Sequence, residues 1–337
     1  MSGGIATDPV AEPGRIGGGP AAPDERLWRW ARRAFRTNLV AQIGIVVTGG
    51  LVRVTGSGLG CPTWPQCVPG SFTPVVHQAQ GYHKDIEFGN RLLTSVVSLT
   101  ALAVLGFGVA LVLRERLPKR LIAVAALPVA LVVVQAVLGG ITVLTGLSPG
   151  TVAAHFLASM VLVAGSTWVL LAITPAGRAV VQARRELRLL AVAVAALAAV
   201  VLALGTVVTG SGPHSGDATR PNRFGFDPSA VAWLHADAVW LFVGLVVALL
   251  VGARMTDAGP GLVRHATWLL GVTLAQGAIG YVQYATDLPI SLVALHMLGS
   301  ALLTVAVTGT WLAVRDGRRP VAGAPIVVQD RPAAHAG

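Results

Sequence analysis

Residues 121–145 read LIAVAALPVALVVVQAVLGGITVLT, an apolar run without a charged side chain. About 20 such residues in a helix cross the ~30 Å hydrocarbon core of a bilayer, so this run predicts a transmembrane helix. Seven other stretches resemble it in length and composition. The eight predicted spans are residues 37–55, 88–113, 121–145, 151–173, 189–209, 231–253, 262–285 and 289–314. The predicted fold class is therefore an all-α integral membrane protein.

The composition supports a membrane protein and excludes an ordinary soluble domain. Of 337 residues, 54% are hydrophobic and 12% are charged, about half the charged fraction of soluble domains. The net charge of +10 does not indicate nucleic acid, because the basic residues flank apolar spans and lack interleaved aromatic residues. Lys and Arg gather in the terminal segments and beside the loops after even-numbered spans. The protein is therefore predicted to lie in the plasma membrane with both termini in the cytoplasm. The tails at 1–25 and 317–337 are predicted to be disordered.

The second half of the sequence repeats the first. Residues 54–58 and 208–212 both read VTGSG, and a second pattern recurs with unchanged spacing: Gln135, Gly139 and His155 match Gln276, Gly280 and His296. Each half contains four predicted helices and begins in the cytoplasm. The sequence therefore predicts a parallel repeat of two pseudo-symmetric four-helix bundles, within residues 26–175 and 176–316.

Three histidines lie a few residues inside spans that begin at the outer face: His155, His235 and His296. The position in the second span that corresponds to His235 holds Asn90. A lone histidine in a span often hydrogen-bonds neighbouring helices, but three at one depth favour a cofactor. His235 and His296 come from different helices and can supply both axial nitrogens of a haem iron.

Other features of the sequence fit haem better than they fit a smaller metal site. Gly139, Gly140 and Gly280 would let a flat macrocycle approach the backbone, or would allow close helix contacts. Zinc requires three or four closely grouped ligands, whereas these histidines occur one per helix. Copper bound by the two cysteines would lack an evident third ligand.

The only cysteines, Cys61 and Cys67, lie in the first predicted outer loop. On the oxidising side of a membrane, a structural disulfide is the plain interpretation. A redox-active pair that passes electrons to the nearby site is the alternative, and the sequence does not separate the two.

Glu87 precedes Asn90 and Arg91 by three and four residues, so the three side chains share one helix face. Glu87 is either an interfacial partner of Arg91 or a catalytic acid that handles protons or stabilises a developing cation. The matching position in the second half holds Ala232. An acid confined to one half suits one active half and one supporting half.

Over residues 37–314 the sequence resembles the haem A synthase family. The resemblance rests on residues 49–58 with the cysteine loop, Glu87 with Arg91, residues 138–147 before His155, residues 212–217, and His235 with His296. It implies a membrane oxidoreductase that oxidises a ring methyl of haem O to the formyl group of haem A by successive hydroxylations. The product serves cytochrome oxidase.

The resemblance also implies a role for each half. His235 and His296 would hold haem b in the second half, while His155 would bind the iron of the substrate haem O in the first. Glu87 would be the essential acid, and Cys61 and Cys67 would form a disulfide that assists haem transfer. The family has a histidine where this chain has Asn90. The substrate iron would then be five-coordinate on His155, or Asn90 would hold a water, or the loop residue His83 would substitute.

The basic residues of the outer face have two interpretations. Arg53, Arg91, Arg220 and Arg223 can pair with haem propionates or can anchor helix ends and loops. The expected partners are lipid, haem O synthase, an electron donor and a second copy of the chain. A b-type cytochrome that only carries electrons and a haem transporter are the alternative functions. Ligands near one face count against the first, and the acid in one half counts against the second.

Overall fold

The structure, a computed structural model, describes residues 23–174, 183–217 and 219–315. Eight α-helices account for most of them, and no β-strand occurs in this part of the chain. The helices are α1 (Glu25–Val54), α2 (His83–Arg114), α3 (Arg120–Leu144), α4 (Pro149–Ala172), α5 (Arg185–Ser211), α6 (Pro228–Met255), α7 (Pro260–Ala285) and α8 (Ile290–Arg315). The predicted all-α fold is confirmed. The predicted tails lie outside the described residues, apart from residues 23–25.

Seven of the helices, all except α7, are long and apolar enough to cross a membrane. α7 has 26 residues, but Arg264, His265, Gln276 and Gln283 lower its mean hydropathy. It packs between α6 and α8 as part of the same bundle. Large apolar side chains such as Leu99 and Val133 are exposed on the helix surfaces, as expected of a surface that faces lipid.

α1 begins well before its predicted span, which started at residue 37, and residue 25 is helical rather than part of a tail. Asp24 caps this helix, because its side chain accepts hydrogen bonds from the backbone N–H groups of Arg26 and Leu27. Trp28 and Phe35 are buried between the basic residues and pack against α2, α3 and α4. The charges hid this extension, since one face of the segment is basic and the other apolar.

The helices form two rings of four. α1 to α4 close one ring through the contact of α1 with α4, and α5 to α8 close the other through α5 with α8. The rings meet where α1 contacts α8, α4 contacts α5, and α4 contacts α8. Exchanging the halves converts the first of these contacts into the second and leaves the third unchanged. This is the pattern of a pseudo-two-fold axis passing between α4 and α8.

The spacing match between the two halves corresponds to a repeated contact. The side-chain amide of Gln135 donates to the backbone carbonyl of His155 at 3.3 Å, and that of Gln276 donates to the carbonyl of His296 at 2.9 Å. The two glutamines therefore hold the two histidine-bearing helices in the same way.

The identical VTGSG segments, in contrast, are not structural equivalents. α1 ends at Val54, and Gly56 adopts a φ of 68° in the turn that follows, a conformation that glycine adopts without strain. In the second half the same letters continue α5 to Ser211. Glycine contacts match Gly49 with Gly205, so the helix bodies align two residues away from the pentapeptide register.

Candidate functional site

The predicted iron ligands lie on diagonally opposite helices of each ring. α6 carries His235 and α8 carries His296, and both helices contact α5 and α7. In the first ring, Asn90 on α2 and His155 on α4 occupy the matching places. Each bundle therefore presents two side chains across its interior.

Each of these four side chains packs against a glycine of the preceding helix. A Cβ added to the glycine would lie 3.3 Å from Cε1 of His155 at Gly139, 3.4 Å from Cε1 of His235 at Gly205, 3.5 Å from Cε1 of His296 at Gly280, and 3.8 Å from Nδ2 of Asn90 at Gly49. Side chains larger than alanine at these glycines would displace the imidazoles. The glycines therefore set how deeply the three imidazoles and the Asn90 amide lie in the two bundles.

The imidazoles do not hold helices together through Nδ1. In His155, His235 and His296 this atom is buried, and it has no hydrogen-bond partner in the described part of the chain. The His235 ring lies near the backbone carbonyl of Val201, yet no hydrogen bond forms at its Nδ1. Buried polar atoms without partners are costly and usually mark function. This observation weakens the interpretation of the histidines as packing contacts.

The donor set fits haem. His235 and His296 come from helices on opposite sides of the second bundle, as two nitrogen ligands of one haem iron would, and the surrounding core is apolar. Among the residues that the structure describes, no three His, Cys, Asp or Glu side chains group closely enough to bind an ion by themselves. The first bundle offers one imidazole at this depth, from His155.

Asn90 and His83 are both engaged by protein groups. The Asn90 side-chain oxygen accepts a hydrogen bond from the Thr48 hydroxyl at 2.7 Å. His83 is the first residue of α2, and its Nδ1 lies 2.8 Å from the Ser57 hydroxyl. Seven residues of helix separate His83 from Asn90, a rise of about 10 Å. His83 is thus tied to the outer loop rather than placed at the depth of Asn90.

Glu87 is buried, with 5% of its surface exposed, and both carboxylate oxygens are bound. Oε2 accepts the backbone N–H of Cys61 at 2.7 Å. Oε1 accepts Nη2 of Arg91 at 2.6 Å and Nε at 3.1 Å. The carboxylate is therefore held by the cysteine loop on one side and by an ion pair one helical turn away on the other.

Arg91 uses its remaining donors to hold the cysteine loop. Its guanidinium donates to the backbone carbonyls of Cys61 at 2.8 Å, Thr63 at 3.1 Å and Gln66 at 3.3 Å. These bonds span the loop from one cysteine to the residue before the other. Arg91 therefore anchors the loop and orients Glu87. This matches the anchoring interpretation of Arg91 rather than the propionate contact.

Cys61 and Cys67 form a disulfide with an S–S distance of 2.00 Å, and both residues are fully buried. Between them, Trp64 places its indole ring against Gly140 of α3, where an added Cβ would lie 2.5 Å from the ring. The next residue back, Gly139, backs His155. The disulfide loop therefore packs on α3 at the residue next to the glycine that contacts His155.

The arginines predicted to contact haem propionates occupy different surroundings. Arg53 donates from Nη2 to the backbone carbonyl of Thr209 at 3.1 Å, while its Nε is buried without a partner among the described residues. Arg223 binds the carbonyl of Pro213 at 3.2 Å. Arg220 lines an outer cleft of about 460 Å³ between the halves, together with Leu59, Thr145, Gly146, Asp217, Pro221 and Asn222. Arg53 has an Nε–H group that is unpaired within the described part of the chain, and Arg220 is exposed in the cleft. Each could therefore donate a hydrogen bond to a propionate.

Comparison with known proteins identifies the family. The model of the COX15-CtaA family, described as "Cytochrome oxidase assembly protein", matches residues 33–308. The chain belongs to this family. The match covers all the histidine positions above, the disulfide loop and Glu87. It confirms the resemblance predicted from the sequence.

Three relatives of this COX15-CtaA chain carry the name "Heme A synthase". The protein from Methylobacterium sp. (strain 4-46) is 27% identical over 301 residues, covering 74% of this chain and 82% of the relative. Those from Geobacillus thermodenitrificans and Geobacillus kaustophilus (strain HTA426) are each 38% identical over 53 residues, 16% of this chain. In both Geobacillus cases the match spans only 15% of the relative's length.

Two contacts of this COX15-CtaA chain were not predicted from its sequence. The cysteine loop gives no local signal for the contact of Trp64, although the adjacent pair Gly139 and Gly140 indicates a close approach on α3. The hydrogen bond from Thr48 to Asn90 joins residues on α1 and α2 that are 42 positions apart. A threonine in an apolar helix gives no local signal for such a partner.

Proposed function

We propose that this chain is a haem A synthase, an oxidoreductase of the plasma membrane. It oxidises a ring methyl of haem O to the formyl group of haem A by successive hydroxylations, for cytochrome oxidase. The observation that carries the proposal is the opposed pair His235 and His296 in one bundle, combined with a buried acid, Glu87, present only in the other. Membership of the COX15-CtaA family and the names of the relatives support it.

The second half, residues 176–316, is the site of haem b. His235 and His296 would hold its iron, and Gly205 and Gly280 give the two imidazoles their depth in the bundle. When bound, haem b supplies one-electron redox chemistry. The apolar core of this half excludes water from around the two rings.

The first half, residues 26–175, binds the substrate haem O through His155. Glu87 of the same half either accepts a proton at a carboxylate oxygen as a general base or stabilises positive charge that develops at the carbon being oxidised. Arg91 and the Cys61 N–H keep the carboxylate oriented. The disulfide holds the loop that carries this N–H, and Trp64 closes the loop over α3.

Asn90 leaves the sixth position of the substrate iron without a protein ligand. Its side-chain oxygen is already bonded to Thr48, and His83 is bonded to Ser57. The sixth position is therefore open or holds water, an arrangement that suits oxygen chemistry better than electron transfer. Spectra of the protein loaded with haem O test this step. A low-spin six-coordinate spectrum that disappears in His83→Ala would contradict it.

Both haem sites lie near the extracytoplasmic face, and both termini are cytoplasmic. The Lys and Arg distribution supports this orientation. Arg53, Arg220 and Arg223 are placed at the same face and are the candidates for propionate contacts. Haem O synthase delivers the substrate, an electron donor completes the reaction, and lipid surrounds the helices. A homo-oligomer is also expected.

Co-expression with a haem O synthase, followed by extraction and chromatography of the pigments, tests the function. The intact chain should yield haem A or its hydroxylated intermediate, and Glu87→Gln should not. If the intact, correctly inserted chain binds haem but yields neither product, the protein is an electron carrier or a haem transporter instead.

A further inference from the structure

Four polar side chains form a buried layer inside the first bundle, well below the haem sites. They are Asn38 and Gln42 on α1, Thr100 on α2 and Ser166 on α4. Asn38 Nδ2 donates to the Ser166 hydroxyl at 3.2 Å, and its oxygen accepts Gln42 Nε2 at 3.4 Å. The Thr100 hydroxyl lies 3.3 Å from the same oxygen and shares its one hydrogen with the Val97 carbonyl at 2.9 Å. Asn38 and Gln42 are each 1% exposed, and Ser166 is 2% exposed. The layer therefore joins three helices through hydrogen bonds.

This polar layer interrupts the apolar core of the first half. On its cytoplasmic side lies the cluster that contains Phe35, Val104 and Val169. On its outer side lies a separate cluster with Val97 and Leu162. Polar groups at this depth in a membrane protein are expensive and usually serve a function.

The second bundle has no such layer at the matching positions. The register set by the glycine and histidine contacts aligns the four polar residues with Val194, Ala198, Leu245 and Val307. All four belong to, or pack against, one continuous apolar core. The same helix arrangement therefore forms without any polar contact at this level. Helix packing alone does not account for the layer in the first half.

One atom of the layer is left without a partner. Gln42 Oε1 is buried and accepts no hydrogen bond in the described part of the chain. Turning this amide over, alone or together with the Asn38 amide, would leave its nitrogen unpaired instead, so one end of the Gln42 amide lacks a partner among the described residues in either orientation. An unpaired buried polar atom costs about 1–3 kcal/mol. An internal water, which needs two to four polar partners, is the usual remedy at such a place.

Polar groups continue from this layer toward the pocket of the first bundle. Gln42 lies seven residues below Gly49, the contact of Asn90, which is about 10 Å of helix. Between these levels the Gln135 amide donates to the Ser159 hydroxyl at 2.8 Å, one turn below His155. Polar side chains therefore recur along the interior of the first bundle, from the middle of the helices to the level of His155.

We propose that the layer of Asn38, Gln42, Thr100 and Ser166 is an internal water-binding site of the first half. The bound water donates to Gln42 Oε1 and hydrates the bundle beneath the pocket that holds His155. The site is confined to the first half, because its counterpart in the second half is filled by apolar side chains. The proposal does not depend on the proposed enzymatic activity.

A structure of the haem-loaded full chain in lipid, at a resolution that places waters, tests the site directly. We expect a water about 2.7–3.2 Å from Gln42 Oε1, and none at the matching level beside Ala198. Gln42→Met keeps the side-chain length and removes both polar atoms, so the water should disappear. A dry layer in the native protein, or a protein donor on Gln42 Oε1, would overturn the proposal.

Infrared spectroscopy provides a second measurement that needs no crystals. At least one internal-water O–H band that shifts in ¹⁸O-labelled water should be present in the native protein and lost in Gln42→Met, while bands from waters at other buried amides remain. Thr273→Val is the matched control, since Thr273 is buried but bonds only within its own helix; the same band should persist there. If Gln42→Met does not fold, Gln42→Leu, which also removes the oxygen that the water contacts, replaces it. A native set of bands in a folded layer variant would refute the proposal, whatever its turnover.

Discussion

The two bundles share a scaffold but differ in the groups that the scaffold carries. At the outer end, the first has Glu87, Asn90 and Gly140 where the second has Ala232, His235 and Tyr281. The Trp64 indole of the disulfide loop packs against Gly140. At the matching position, the Tyr281 hydroxyl accepts a hydrogen bond from Trp240 at 2.9 Å. In the interior, the first bundle contains a polar layer, whereas the matching positions of the second bundle belong to a continuous apolar core.

The two halves share the contacts that position their helices but differ in the chemical groups that they carry. The contacts that place helices, such as Gln135 with His155 and Gln276 with His296, are retained in both halves. Buried hydroxyls and amides occur in both halves, but the buried acid Glu87 and the linked polar layer around Asn38 occur in the first half of the described chain. The second bundle is therefore suited to hold a cofactor rigidly, and the first to change a substrate.

The largest effect is expected from the histidines. His296→Ala should remove nearly all haem from the second bundle, because one of its two opposed imidazoles is lost, while His155→Ala should leave that haem in place. Optical spectra and haem content of the purified variants measure the difference, with membrane yield as the control for insertion. Equal haem loss in both variants would break the division between the halves.

Glu87→Gln should lower haem A formation by about 10²-fold or more, the usual contribution of a positioned acid or base. Haem content should stay unchanged, because the amide keeps the size of the side chain. Product chromatography measures the loss. Ala232→Glu is the matched control in the second bundle and should not raise activity. Full activity in Glu87→Gln would exclude the proposed role.

Asn90→His makes the first bundle resemble the second. With haem O bound, the spectrum should change from five-coordinate to low-spin six-coordinate, because an imidazole replaces the amide opposite His155. Product should still form, since the family pattern carries histidine at this position. An unchanged spectrum would mean that position 90 does not face the iron.

Replacing both Cys61 and Cys67 with Ser should lower the free energy of unfolding by about 2 kcal/mol, the value for a short closed loop. The bonds from Arg91 still hold part of the loop, so Glu87 should remain in place and some activity should persist. Thermal unfolding in lipid and product analysis measure the two effects separately. Complete loss of turnover in a folded variant would favour a redox role for the cysteines.

The smallest effect concerns the loop between α5 and α6. Burial raises the pKa of Asp217, but hydrogen bonds from the Thr219 hydroxyl and N–H and from Arg220 N–H outweigh it, so the pKa is lowered overall. A lowered pKa stabilises the fold above the unfolded-state value, and this stabilisation is lost as pH falls through the folded-state value. Asp217→Asn should therefore cost a few tenths of a kcal/mol at neutral pH and nothing in acid. Equal costs at both pH values would contradict this assignment.

Much of the fold followed from local patterns. Apolar length predicted all eight helices to within a few residues, except at the start of α1, where an apolar face with Trp28 and Phe35 was hidden among arginines. The Gln–His spacing identified a real repeated contact, whereas the more conspicuous VTGSG identity did not mark structural equivalents. Spacing within a helix fixes geometry, but letters shared by a helix and a turn do not.

By itself, the sequence determined the membrane class, the duplication and the depth of the three histidines, because hydrophobic length and helical rise are properties of each segment alone. Which groups meet became known from the packing of the helices and loops: Glu87 contacts the Cys61 N–H, Arg91 contacts the loop carbonyls, and Trp64 contacts Gly140. The packing also leaves Gln42 Oε1 without a hydrogen-bond donor in the described part of the chain. Most of these contacts join residues far apart in the chain. Their existence depends on how whole helices and loops pack, which no local pattern of residues encodes.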